Sequence, residues 1–97
     1  MLQVPGTVVQ ENANEVLAQL MQALGTETTA SVTVDAGALT QFDSTALAVL
    51  LELRRAAQKL GKTLWLQAVP GRFADLARLY GIAELLPVQA ASGAAAR

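Results

Sequence analysis

The 97-residue sequence contains no cysteine and no histidine. The first absence excludes a disulfide framework, thiol redox chemistry, Fe–S ligation and the thiolate zinc sites. The second removes the usual general base, and with it the serine and cysteine triads and dyads that depend on one. With neither residue present, no metal site and no cofactor are expected. Charge is also scarce, at 15% of residues with a net value of −1, which offers no basic surface for a nucleic-acid backbone. Long apolar runs are missing as well: the longest, Ala46 to Leu51, is six residues, against about 20 for a membrane span. The opening MLQVPGTVV has neither the basic start nor the apolar centre of a signal peptide. The expectation is a soluble, intracellular protein that meets a membrane only through a partner.

What remains is an apolar chain, 53% hydrophobic, too apolar to stay disordered and of a length that fits one domain. Folding at this size hides roughly 60–65% of the unfolded surface, enough for one modest core. The charge is uneven. Residues 1–51 carry −5 and no lysine or arginine, whereas residues 52–97 carry +4. Two solvated faces of opposite sign account for this. A basic docking strip of Arg54, Arg55, Lys59 and Lys62, facing an acidic partner or an anionic headgroup, is the alternative.

Hydrophobic periodicity divides the chain into alternating strands and helices. Leu2–Val4 reads as the remnant of a strand, stopped by Pro5-Gly6. Asn12, with Glu15 three residues on, looks like a helix start. Val16, Leu17, Leu20 and Leu24 follow at helical spacing to a C-cap at Gly25. Ser31–Asp35 alternates and is β-branched, a strand. Ser44–Leu60 is the clearest helix, with a stripe of Ala46, Val49, Leu50, Leu53, Ala57 and Leu60 closed by Gly61. Thr63–Ala68 reads as a strand with Trp65 on one face and Leu64 and Leu66 on the other. After Pro70, the residues Phe73, Leu76, Ala77 and Tyr80 mark a third helix capped by Gly81. The last ten residues, VQAASGAAAR, are small and aperiodic and read as a disordered tail, residues 88–97. Strands that alternate with helices predict an α/β domain over residues 1–87, a mostly parallel sheet with helices packed on it.

The informative stretch is Phe42-Asp43-Ser44-Thr45-Ala46-Leu47-Ala48, where a loop enters the central helix. Asp43 or Ser44 can satisfy the first unpaired backbone N–H groups as a cap. A second reading treats the stretch as a contact. The stripe uses Ala46, Val49 and Leu50, so Leu47, Ala48 and Leu51 form a second apolar face beside the hydroxyls of Ser44 and Thr45, a candidate partner surface. That face could equally be buried under a loop. A phosphate on Ser44 would suit the helix dipole yet place negative charge on an apolar face and repel a partner. Ser44 is not read as a nucleophile: the nearest lysines, Lys59 and Lys62, lie at the far end of the helix, and an activated serine needs a base within about 3 Å.

The Phe42-Asp43-Ser44-Thr45-Ala46-Leu47 stretch resembles the start of the central helix in the STAS domain family, whose pattern is an apolar residue followed by Asp-Ser-Ser/Thr-Gly-Leu. That family includes bacterial anti-sigma factor antagonists and the cytoplasmic tails of sulfate transporters. The resemblance is nearer to the branch of small STAS subunits in Mla phospholipid-transport ABC systems. It extends to the Leu/Ala-rich helix ending before Gly61-Lys62, the strand Leu64–Val69, and Leu76-Ala77-Arg78-Leu79-Tyr80-Gly81 with its Leu85-Leu86-Pro87 close. It covers residues 1–87, most specifically from Val32 on, and implies a STAS-type fold whose first strand is truncated or missing. Ala46 stands where antagonists usually have Gly, which suits the transporter branch. The resemblance implies a non-enzymatic cytoplasmic subunit, peripheral to the inner membrane, that binds and supports the ATPase of a phospholipid-transport ABC complex. Its alternative is an antagonist switched by phosphorylation at the position of Ser44. The partner-binding residues it implies are Asp43, Ser44 and Thr45, beside the apolar Leu47, Ala48 and Leu51.

Overall fold

The computed structural model describes residues 1–86, so the tail expected over 88–97 lies outside the described residues. The elements run β1 (Leu2–Gln3), β2 (Thr7–Val8), α1 (Ala13–Gly25), β3 (Ser31–Asp35), β4 (Gln41–Phe42), α2 (Ser44–Lys59), β5 (Thr63–Gln67) and α3 (Gly71–Leu79), followed by a 3-10 turn at Ala83–Leu85.

The β-branched run of β3 forms the centre of a three-stranded parallel sheet in the order β1-β3-β5. Register sets Leu2 beside Val34, Val32 beside Leu64 and Val34 beside Leu66. Because strand side chains alternate, these five residues share one face, and all five are buried. The intervening Thr33 and Trp65 lie on the opposite face and are half-buried. Two crossovers of the same hand, stepping in one direction across the sheet, deliver α1 and α2 to the same side, where the two helices pack together. Leu20 and Leu24 from α1, Leu50 and Leu53 from α2, and the sheet's apolar face make the core. Phe73 of α3 is wholly buried in it.

The α/β class and the parallel sheet agree with the sequence-based expectation. The first strand is present, shortened to two residues that pair with β3. Four details differ. Gly25 lies inside α1, which closes on Thr26. Leu60, placed in the α2 stripe by spacing, is 56% exposed because the helix has ended at Lys59. The third strand stops at Gln67, since Ala68 takes a left-handed φ of 58° that a strand cannot continue. The parallel pair β2–β4 carries no alternation to announce it, being two residues on each side. Gly61 (φ 75°) and Gly81 (φ 74°) adopt the left-handed conformation that ends a helix.

Candidate functional site

The start of α2 is placed by a set of backbone hydrogen bonds that tie the loop before it to the N-terminal segment. The Val4 N–H donates to the Asp35 carbonyl at 2.9 Å, and the N–H groups of Thr40 and Gln41 both donate to the Gly6 carbonyl, at 2.9 and 3.0 Å. Glycine suits the close approach here: a Cβ at Gly6 would stand a tight 3.1 Å from the Ala38 carbonyl oxygen, which would have to shift to admit it. Asn12 reinforces the N-terminal side. It sits at the N-cap position of α1, but its amide does not cap the helix. Instead its Oδ1 accepts from the Val9 N–H and its Nδ2 donates to the Thr7 carbonyl, both at 2.8 Å.

Asp43 joins the two sides. One carboxylate oxygen accepts from the Thr45 N–H at 2.9 Å, capping α2, and the other accepts from the Gln10 N–H at 3.3 Å. The capping reading therefore holds for Asp43, and Ser44 becomes the first residue of the helix, exposed. The Thr45 backbone N–H, aided by its side chain and by the Gln10 N–H, holds the Asp43 carboxyl below its ordinary range, despite an opposing desolvation effect. A lowered carboxyl pKa stabilises the fold above the unfolded-state value and ceases to do so as pH falls through the folded-state value. Asp43→Asn is accordingly expected to lower the melting temperature at pH 7. The gap between the two proteins should shrink as pH falls through and below the ordinary carboxylate range. A gap that stays constant to low pH in paired thermal scans would contradict this.

The other residues predicted at the site separate. Thr45 is half-buried, with its N–H taken by Asp43. Ser44 and Ala48 are exposed and Leu51 is half-buried, so these three share the outer row of α2. Leu47 does not join them: it is 3% exposed and belongs to the core. The reason is that α2 is flanked on two sides. Glu52, Ala56 and Lys59 line a hollow with Met21 of α1. Arg54 and Gln58, seven and eleven residues on from Leu47 and thus in its row, line another with Leu64 and Glu84. A helix wedged this way buries a wider arc than one stripe. Ala46 is buried as well, at 2%, and its methyl packs inward.

The basic strip is not continuous either. Lys62 Nζ donates to the carbonyls of Glu27 and Thr29, at 3.0 and 2.8 Å, tying the α1–β3 loop to the start of β5. Arg55 pairs with Glu52 at 3.6 Å.

Sequence reasoning missed the wall opposite Ser44. Phe42, half-buried, sets its ring edge-on to Phe73, with centroids 5.3 Å apart and planes at 77°. The Arg72 guanidinium lies over the Phe42 ring, 5.3 Å from its centroid. From this floor an open groove of about 450 Å³ runs between the start of α2 and α3, lined by Ser44, Leu76, Leu79 and Tyr80 among others. Leu79 and Tyr80 are 79% and 56% exposed. The available signal was Leu79, an apolar residue outside the Phe73–Ala77 stripe.

Chemically, the site presents a hydroxyl beside small and apolar side chains and one stacked cation. Among the described residues, no cluster of three or more carboxylates could hold a metal ion. Against known families, a model described as "Mlab, STAS domain" matches residues 1–87. No curated protein matches the chain.

Proposed function

Because the chain belongs to the STAS domain family, through the model described as Mlab, we propose that it is a non-enzymatic subunit that binds and supports the ATPase of a phospholipid-transport ABC complex at the inner membrane. The family points to a small protein-interaction module. The observation that carries the finer reading is the outer row of α2. Asp43 supplies the cap, so the exposed Ser44 hydroxyl is left for a partner, with exposed Ala48 and half-buried Leu51 one and two turns behind it. A hydroxyl next to a small and an apolar side chain suits a closely packed protein contact. The protein would reach the membrane through that partner. No helix among the described residues is long and apolar enough to cross one.

The test is reconstitution of the ATPase and permease with and without this subunit, scoring co-elution and ATP turnover. Ser44→Glu and Ala48→Glu place a charge in the contact at exposed positions. Both are expected to weaken association by about tenfold or more while leaving thermal stability close to wild type. Equal assembly and turnover without the subunit would defeat the reading. The exposed Ser44 at a helix start also favours a second reading, an antagonist switched by phosphorylation. That reading predicts co-purification with a kinase and phosphate on Ser44 by mass spectrometry.

A further inference from the structure

We propose that the groove between the start of α2 and α3 is the second half of the docking surface, and that it takes a partner protein segment presenting a carboxylate beside a large apolar side chain. The inference rests on the protein-docking reading above and extends it to α3.

Leu79 and Tyr80 are two of the five large hydrophobic residues left exposed among the described residues, and they are adjacent on one rim of the groove. The opposite rim holds Ser44, so this apolar patch is continuous with the outer row of α2. Exposed apolar side chains that cluster around a concave floor, rather than scattering singly, mark an interaction surface.

Asp43, Arg72 and Asp75 line the groove, and Arg78 lies one turn on from Asp75 in α3. Asp75 and Arg78 pair with each other. Asp43 spends its two oxygens on the N–H groups of Thr45 and Gln10. Arg72 is the cation that lines the groove, and no carboxylate pairs with it among the described residues. Its guanidinium lies over the Phe42 ring. This cation–π contact places the guanidinium at the groove and leaves its N–H donors to take a carboxylate. One cation without a carboxylate partner, on an aromatic floor, is matched by a single acidic residue. It is a poor match for an anionic membrane surface, which calls for about four to eight basic residues together.

The experiment titrates the purified ATPase subunit of the cognate transporter into this protein by calorimetry at low and moderate salt. Wild-type affinity should fall with salt. Leu79→Asp and Tyr80→Ala should each weaken binding about tenfold. Arg72→Gln should weaken it several-fold at low salt and flatten the salt dependence. Lys59→Gln, on the outer surface at the other end of α2, should change little. All four positions are exposed, and thermal scans verify that each variant folds. If Ser44→Glu abolishes binding while the Leu79, Tyr80 and Arg72 variants bind as wild type, the groove is wrong and the docking function stands. If the wild-type protein does not bind the ATPase at all, both fall. Leu79-dependent binding to vesicles of phosphatidylglycerol and phosphatidylethanolamine, with an ATPase titration indifferent to Leu79, would assign the groove to lipid and overturn the proposal.

Discussion

Leu47→Asp is expected to unfold the domain rather than to release a partner. The side chain is 3% exposed and lies in the same buried cluster as Leu50 and Leu53. Truncating such a leucine to alanine costs about 2–5 kcal/mol through lost burial and the cavity left behind. An aspartate adds the desolvation of a charge, and among the described residues the core has no buried polar or charged residue to receive it. A domain of this kind is stable by only about 5–15 kcal/mol. The substitution should therefore remove most of the cooperative thermal transition. Leu47→Ala should keep it, with a midpoint lowered by roughly 4–8 °C for each kcal/mol lost. Circular dichroism melts of the three proteins decide the matter. A Leu47→Asp protein that melts like wild type would show that the residue faces outward after all. Loss of binding by this variant consequently says nothing about docking, which is why Ala48→Glu and Leu79→Asp are the informative changes.

The misplacement of Leu47 shows where periodicity stops being informative. A stripe at 3.6-residue spacing identifies the side of a helix that meets one neighbour. α2 meets the sheet and is flanked on both sides, and no local pattern encodes that. The long strands were legible because β3 and β5 alternate over five residues with β-branched or leucine side chains facing the core. The β2–β4 pair was not, because it exists through non-local hydrogen bonds around the Gly6 carbonyl. At the site, residue type narrowed the cap to Asp43 or Ser44, and the hydrogen bond from the Thr45 N–H decides for Asp43. Asn12 has the same chemistry, yet it is drawn to the backbone of Thr7 and Val9. The α3 wall was hidden by a spacing coincidence. Tyr80 falls seven residues after Phe73, the repeat of a buried stripe, but α3 ends at Leu79 and the chain turns left-handed at Gly81. Its ring leaves the stripe and joins the groove.

Phe73→Ala should produce the second large effect, and it should reach the site as well as the fold. Phe73 is the largest wholly buried side chain among the described residues. Its ring holds α3 against the core and meets Phe42 edge-on. Removing it should cost about 3–5 kcal/mol, of which the aromatic pair accounts for about 0.5–1.5 kcal/mol. A double-mutant cycle with Phe42→Ala isolates that share, because the two residues touch and their effects should not add. Phe73→Leu keeps an apolar side chain in place and should cost less than Phe73→Ala. The consequence for function follows from chain connectivity. Arg72 precedes Phe73 directly and stacks on Phe42, while Leu79 and Tyr80 lie at the far end of the same short helix. Loosening Phe73 should therefore free the cation and the apolar rim together. In denaturant titrations Phe73→Ala should shift the midpoint with little change in slope. Under conditions where it remains folded, it should bind the partner more weakly than Phe73→Leu. A cost below about 1 kcal/mol would show that α3 is held by something other than this ring. The expected loss of about 3–5 kcal/mol with unaltered binding would separate the anchor of α3 from the docking surface.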